Sequence, residues 1–247
     1  MKLWVGTSGY SYKPWLGKFY PERLAAKEML GYYASRLPAV EINNTFYRLP
    51  KESVLQAWAE KVPDEFRFVL KAPQKITHVK RLKDAEPEVG YLFHVATVLG
   101  PGLGAILFQL PPRLQKDLGR LRNFLSVLPK EWAVAFEFRH PSWFVPEVYA
   151  LLREHEVALT IGDTPTRPFQ SYEMTASWTF VRFHHGARGR RGNYSQAELR
   201  TWQRRIAQWR RRVEVYAYFN NDWEGFAIRN ARWLQRQLEP ETSPAAA

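Results

Sequence analysis

Glu137 and Arg139 stand two residues apart in the run WAVAFEFR (132–139), on the opposite parity to Val134, Phe136 and Phe138. Strict alternation of this kind belongs to a β-strand. An acid beside a guanidinium can orient a proton-transferring group, and the guanidinium can fork onto an anion. The pattern recurs along the chain. Glu41 and Asn43 oppose Val40 and Ile42, Lys71 shares a face with Val69, Gln109 with Leu107, and Arg182 with His184. Glu41 and Glu137 fit a general acid and base whose environments separate their pKa values, with His184 as a third catalytic candidate. Arg139 beside Glu137 lowers that acid's pKa, so Glu137 is the expected ionised partner. Lys71, Arg139 and Arg182 supply the charge that a phosphate-bearing substrate would meet.

Such residues meet only if the backbone brings separate strands together. Eight short apolar runs serve as strand candidates, at 2–8, 39–45, 67–72, 104–110, 132–139, 158–163, 178–184 and 213–220. Amphipathic helical patterns lie between most of them, near 26–36, 51–60, 87–99, 116–127, 144–155 and 195–210, with a last one at 224–238. Ser195 and Glu198 form a capping box ahead of Leu199, Trp202, Ile206 and Trp209, a buried stripe at helical spacing. Alternating strands and helices at this length predict an α/β fold, a TIM-type (β/α)8 barrel. The connection TPTRPFQSYEMTAS (164–177) between strands six and seven lacks a helical pattern and is expected to be irregular. Residues 1–238 read as one domain, with 239–247 as a disordered tail.

In such a barrel the strand C-termini hold the site. Glu41, Asn43, Lys71, Gln109, Glu137, Arg139, Arg182 and His184 are then expected at one mouth, since burying so many polar groups singly would be expensive. A structural ion-pair plug is the competing explanation. Asp163, Asn220 and Asn221 end strands six and eight, and Thr7 and Ser8 end strand one, where capping a turn explains them equally well. The loop 9–21 interleaves Tyr10, Tyr12 and Trp15 with Lys13 and Lys18, either as a stacking platform or as packing that pins the loop. Arg188, Arg190 and Arg191 sit among glycines after strand seven, where many barrels hold phosphate.

The 247 residues are 45% hydrophobic and 24% charged, ordinary for a globular chain, and contain no cysteine, which excludes disulfides and thiolate chemistry. The formal charge is +12, and residues 182–212 hold ten arginines and one glutamate. This favours an anionic substrate or nucleic acid as partner, although a plain basic surface explains charge alone. No apolar run is long enough for a membrane span and the start lacks a signal-peptide pattern, so a cytoplasmic location is expected. No nucleotide-cofactor motif is present. No cofactor is expected; a divalent metal held by Glu41, Glu137, Asp163, His184 and His185 stays open, opposed by the neighbouring cations. Nothing in the sequence sets an oligomeric state.

The runs GTSGYSY, VEINNTFYRLP, FRHPSW, VRFHHG and FNND…GFAIRNA resemble the signatures of the family known as domain of unknown function 72, the YecE-like proteins. The likeness spans about residues 2–238 and implies a TIM-type barrel without supplying a reaction. Carried over by motif, its polar positions are Glu41, Asn43 and Tyr47, then Lys71, Thr77 and His78. Arg139, His140 and Trp143 follow, with Arg182, His184, Asn220 and Asn221. The family pattern reads more like R-x-H-G, whereas this chain has His184 and His185 before Gly186, so either histidine could hold that position.

Three functions fit these residues. The leading one is an enzyme acting on a phosphate-bearing substrate, a nucleotide or nucleic acid, by acid–base chemistry, with a phosphoester hydrolase as one form. A glycosidase would use Glu41 and Glu137 across a sugar, with Tyr10, Trp15 and Trp143 as platforms and a wide, inverting separation. A non-catalytic nucleic-acid binding protein would rely on the arginine-rich segment.

Overall fold

A computed structural model describes residues 1–165, 171–187, 192–222 and 224–239. Eight parallel strands close in sequence order: β1 (Leu3–Ser8), β2 (Ala39–Ile42), β3 (Arg67–Lys71), β4 (Leu103–Gln109), β5 (Val134–Glu137), β6 (Ala158–Asp163), β7 (Trp178–Phe183) and β8 (Glu214–Phe219). The outer helices are α1 (Met29–Ala34), α2 (Glu52–Ala59), α3 (Glu86–Ala96), α4 (Leu118–Ser126), α5 (Pro146–Glu154), α6 (Gln196–Trp209) and α7 (Phe226–Leu238). The architecture is the β/α barrel that the alternation of patterns predicts.

Each strand is sandwiched, which is why its sequence is apolar on both parities. One parity packs outward under the helices, as Phe108, Phe136, Phe183 and Phe219 do. The other fills the cylinder, where Trp4, Val69, Leu107, Ala135, Phe180, Tyr216 and Tyr218 form a separate inner core. Near the strand C-termini, charged and amide side chains replace apolar ones on the inner parity. Register then sets them side by side: Ser8 pairs with Glu41, Gln109 with Glu137, and Gly162 with Arg182.

Local chemistry ends the elements as expected. Ser195 Oγ and the Glu198 carboxylate close the capping box of α6, whose buried face is Leu199, Trp202 and Ile206. Between β6 and β7 the described residues contain no helix. There Thr175 Oγ accepts from Leu159 N and donates to Val157 O, both at 2.7 Å, lacing the connection to β6. Gly9 leaves β1 at φ 91°, which favours glycine, while its N–H donates to Glu41 O at 2.7 Å.

Two strands, β2 and β5, fall well short of their patterns, and others differ by a residue or two at their ends. β2 stops at Ile42 and the chain turns into a 3-10 segment, Asn44–Phe46. Thr45 Oγ accounts for the stop, sharing its one proton between the carbonyls of Ile42 (2.9 Å) and Lys71 (2.7 Å) and tying this turn to the end of β3. β5 ends at Glu137, so Arg139 projects from the segment beyond it.

Candidate active site at the barrel mouth

The inner ends of β1, β2, β5 and β7 build one buried network. Arg182 Nη2 donates to Glu41 Oε1 at 2.6 Å, and Nη1 donates to Glu137 Oε2 at 2.5 Å. Ser8 Oγ also donates to Glu41 Oε1, at 2.7 Å. The other oxygen of Glu137, Oε1, accepts from Arg139 Nε at 3.0 Å and lies 3.1 Å from His184 Nε2. Beyond it, Asn220 Nδ2 lies 3.2 Å from His184 Nδ1. An amide nitrogen only donates, so we assign the His184 proton to Nε2, pointing at Glu137.

Arg182 is 1% exposed, Glu41 0% and Glu137 1%. Ions at such depth persist only when paired. Burial by itself raises the Glu137 pKa, but Arg182, His184 and Arg139 outweigh it and hold the carboxyl well below its ordinary range. Burial lowers the His184 pKa despite the opposing pull of Glu137, with Arg182 and Arg139 adding to the depression. His184 is therefore a neutral imidazole at neutral pH.

Lys71 stands apart on the β2–β3 side. Its Nζ lies 4.3 Å from the centroid of the Phe46 ring, and among the described residues it makes no hydrogen bond or ion pair. Both nearby carboxylates are held by Arg182 instead. Burial, reinforced by Arg182, brings the Lys71 pKa down to about 8 against the pull of Glu41 and Glu137. His78 meets the same Phe46 ring edge-on at 4.9 Å, and its Nδ1 sits 2.8 Å from Thr77 Oγ. Burial first, then Lys71 and Arg139, lowers its pKa. His78 rides on a π-helical turn, Lys75–Val79, followed by positive φ at Arg81, Leu82 and Asp84. Non-glycine residues with positive φ are uncommon, and strain of this kind gathers at functional loops.

Bonding capacity remains after the ion pairs form. Among the described residues, Glu41 Oε2, Asn43 Oδ1 and Arg182 Nε are buried without a hydrogen-bond partner. Gln109 also lies buried at the end of β4, beside Glu137 in register.

Several residues stand elsewhere than the sequence suggests. Trp143 is 0% exposed, stacks on Phe138 at 4.6 Å and donates its indole N–H to Leu114 O, so it is packing rather than a platform. Trp15 is likewise buried, with its indole N–H on Asp222. Asp163 falls on the outward parity of β6, where Oδ2 accepts from Trp202 Nε1 at 2.7 Å. His185 is exposed beside Gly192, which leaves His184 as the histidine facing Glu137. With Asp163 and His185 turned away, the five-residue metal alternative does not assemble. Among the described residues no three His, Asp or Glu side chains gather to hold an ion. Tyr47 is 74% exposed and touches Phe46 rather than the network. Arg188, Arg190, Arg191 and the tail 240–247 lie outside the described residues.

One guanidinium fills the space between Glu41 and Glu137. Both carboxylates are therefore engaged by Arg182 rather than left as an open acid–base pair. Phe46 is the site residue that sequence reasoning passed over, and Ser8, left there between a turn cap and a ligand contact, joins the network. Ser8 shares parity with Trp4, an inner-core residue, and that signal could have placed it.

A sequence model of the family described as "Protein of unknown function DUF72" matches residues 4–247. The chain belongs to the DUF72 family. UPF0759 protein YunF of Bacillus subtilis (strain 168) is 25% identical over 283 residues, covering 99% of this chain and 97% of its own. UPF0759 protein YecE of Escherichia coli (strain K12) is 33% identical over 143 residues, 58% of this chain and 50% of YecE. A DUF72 crystal structure from Thermotoga maritima superposes with a TM-score of 0.86 at 30% identity, over 97% of this chain and 100% of that one. A second, from Enterococcus faecalis, gives 0.78 at 23% identity over 96% and 95%, a likeness of fold. Among the described residues of this DUF72 chain, no helix is long and apolar enough to cross a membrane.

Proposed function

We propose that this chain is an enzyme that takes a phosphate-bearing substrate, a nucleotide or related ester, at the barrel mouth and performs acid–base chemistry on it. One observation carries this reading: Glu137 Oε1 serves His184 and Arg139 together. Glu137 orients a neutral imidazole and would stabilise its protonated form, which is how a carboxylate assists a histidine base. His184 Nδ1 faces Asn220, an exposed side chain whose displacement frees that nitrogen to accept a proton. Among the described residues Arg139 bonds through Nε alone, which leaves its two terminal amino groups to meet an anion. Three cations, Lys71, Arg139 and Arg182, stand against two carboxylates, Glu41 and Glu137, and the excess positive charge suits a phosphate.

Glu41 takes a supporting role in this scheme. Its bonds to Ser8 and Arg182 fix the guanidinium that in turn fixes Glu137. The test pairs binding with turnover. Inorganic phosphate and a nucleoside monophosphate should raise the melting temperature of the parent chain, and Arg139→Gln should abolish the shift. A phosphorus-NMR screen of phosphoesters should find a conversion that His184→Gln reduces by about 100-fold or more. Equal melting shifts in parent and Arg139→Gln would remove the anion site, and equal turnover in His184→Gln would remove the base.

A further inference from the structure

The lysine at the end of β3 has no role in the proton transfer just described, and its surroundings suit a different one. Lys71 Nζ rests on the Phe46 ring at 4.3 Å and has no acceptor among the described residues, although two carboxylates belong to the same mouth. A lysine kept to hold a protein anion would be paired with one. A lysine kept as an amine nucleophile has to be unpaired, partly desolvated and reachable. Lys71 meets these conditions, being half-buried at the strand's C-terminal end.

We propose that Lys71 is a nucleophile that forms an iminium with the carbonyl carbon of an aldehyde or ketone substrate carrying a phosphate group. This rests on the anion-binding reading above for the phosphate and on Lys71 alone for the carbonyl. The neutral amine's lone pair attacks the carbonyl carbon, and the carbonyl π electrons move to oxygen. Transfer of one proton from nitrogen to that oxygen gives a neutral carbinolamine. Protonation of its hydroxyl then lets water leave as the nitrogen lone pair forms the C=N bond. The balance is amine plus carbonyl plus one proton giving iminium plus water. No oxidant or reductant enters.

Neighbouring groups serve these proton movements. His78 meets the same Phe46 ring edge-on at 4.9 Å, and the Lys71 charge adds to burial in lowering its pKa. His184 is the second neutral imidazole of the mouth. Arg139, whose terminal amino groups have no partner among the described residues, is placed to take the phosphate. With a pKa brought to about 8, Lys71 has a neutral fraction at pH 7 on the order of 100-fold larger than an ordinary surface lysine.

Trapping with sodium cyanoborohydride tests this, using glycolaldehyde phosphate and glycolaldehyde as two probes on the full chain. Peptide mapping by mass spectrometry compares labelling at Lys71 with labelling at the exposed Lys13 and Lys51. At pH 7 the phosphate probe is expected to label Lys71 at least tenfold faster than Lys13 or Lys51. Inorganic phosphate should slow that reaction, and Lys71→Arg should lack the fast-labelled peptide. Fast labelling of Lys71 by both probes alike, with no protection by phosphate, keeps the nucleophile and removes the anion site. Labelling of Lys71 no faster than Lys13 with either probe overturns the nucleophile, while the Arg139 binding assay judges the anion site separately.

Discussion

Arg182 on β7 and Glu137 on β5 are joined through Nη1 and Oε2 at 2.5 Å, with the strand β6 lying between theirs in the barrel wall. The guanidinium therefore reaches across the inside of the cylinder, and its second amino group continues to Glu41 on β2. Three strands that share no direct pairing are tied by one side chain. Because all three ions are buried, removing the central cation takes from Glu41 its guanidinium partner and from Glu137 the bond to Oε2, and brings two buried carboxylates into mutual repulsion.

Arg182→Met is accordingly expected to lower unfolding stability at pH 7 by about 3–5 kcal/mol, the range for breaking a buried pair from one side. Denaturant titration measures it. Arg139→Gln is expected to cost less than about 1 kcal/mol, since Arg139 is partly exposed and Glu137 keeps its other partners. A loss under 1 kcal/mol for Arg182→Met would mean that the network is not holding the mouth together.

The acid limb of stability follows from Glu137. Its native pKa is depressed below the ordinary value of 4.5, after burial has been overcome by Arg182, His184 and Arg139. Above pH 4.5 the carboxylate is ionised in both states and its stabilisation is complete. As pH falls below 4.5 the unfolded chain takes up the proton first, so stability declines until the native group also protonates. Urea unfolding between pH 3 and 6 should show this decline, with a shallower slope in Glu137→Gln. A parent and variant with parallel profiles would contradict the assignment.

Much of this site was legible because period 2 is a strong signal and the barrel turns it into direction. Once Glu41, Lys71, Gln109, Glu137 and Arg182 share parity with inner residues, closure of the sheet brings them together. What parity could not show is which polar atoms bond. The sequence presents Glu41 and Glu137 as a catalytic pair, whereas in the fold one guanidinium occupies both. Aromatic residues misled for a different reason. Trp143 and Trp15 sit in polar, turn-like segments, but indoles bury large apolar area once their N–H finds an acceptor, here Leu114 O and the Asp222 carboxylate. Asp163 failed on facing: β6 has apolar residues on both parities, and only the fold shows Leu159, Ile161 and Asp163 turning outward.

Lys71 predicts a second rise of stability with pH, on the basic side. Its native pKa of about 8 lies below the ordinary 10.5, mainly from burial. Between these values the unfolded chain binds the extra proton, so stability rises with pH from about 8 towards 10. Above pH 10 the buried tyrosines reverse the trend. Tyr12, raised to about 12 by burial, stays protonated in the folded state while the unfolded phenol ionises. Chemical denaturation from pH 7 to 10 should show the rise in the parent and a flatter line in Lys71→Met. A parent whose stability is flat or falling from pH 8 to 10, at the same slope as Lys71→Met, would mean that the amine is solvated and ordinary.

His184 gives the sharpest local test, because two effects of opposite sign act on one ring. Burial lowers its pKa below 6.5, and the Glu137 carboxylate pulls it back up through charge and hydrogen bond. In the parent, NMR of the imidazole Cε1–H is expected to report titration below pH 6.5. Glu137→Gln removes the favourable charge while leaving Arg182 and Arg139 nearby, so the pKa should fall further. Asn220→Ala removes a donor from Nδ1, which had favoured the neutral ring, and should move the pKa upward. A histidine titrating at 6.5 or above in the parent would show that burial does not dominate the ring, and a pKa unchanged or rising in Glu137→Gln would show that this carboxylate does not act on it. The proton-transfer role assigned to His184 would then lose its orienting partner.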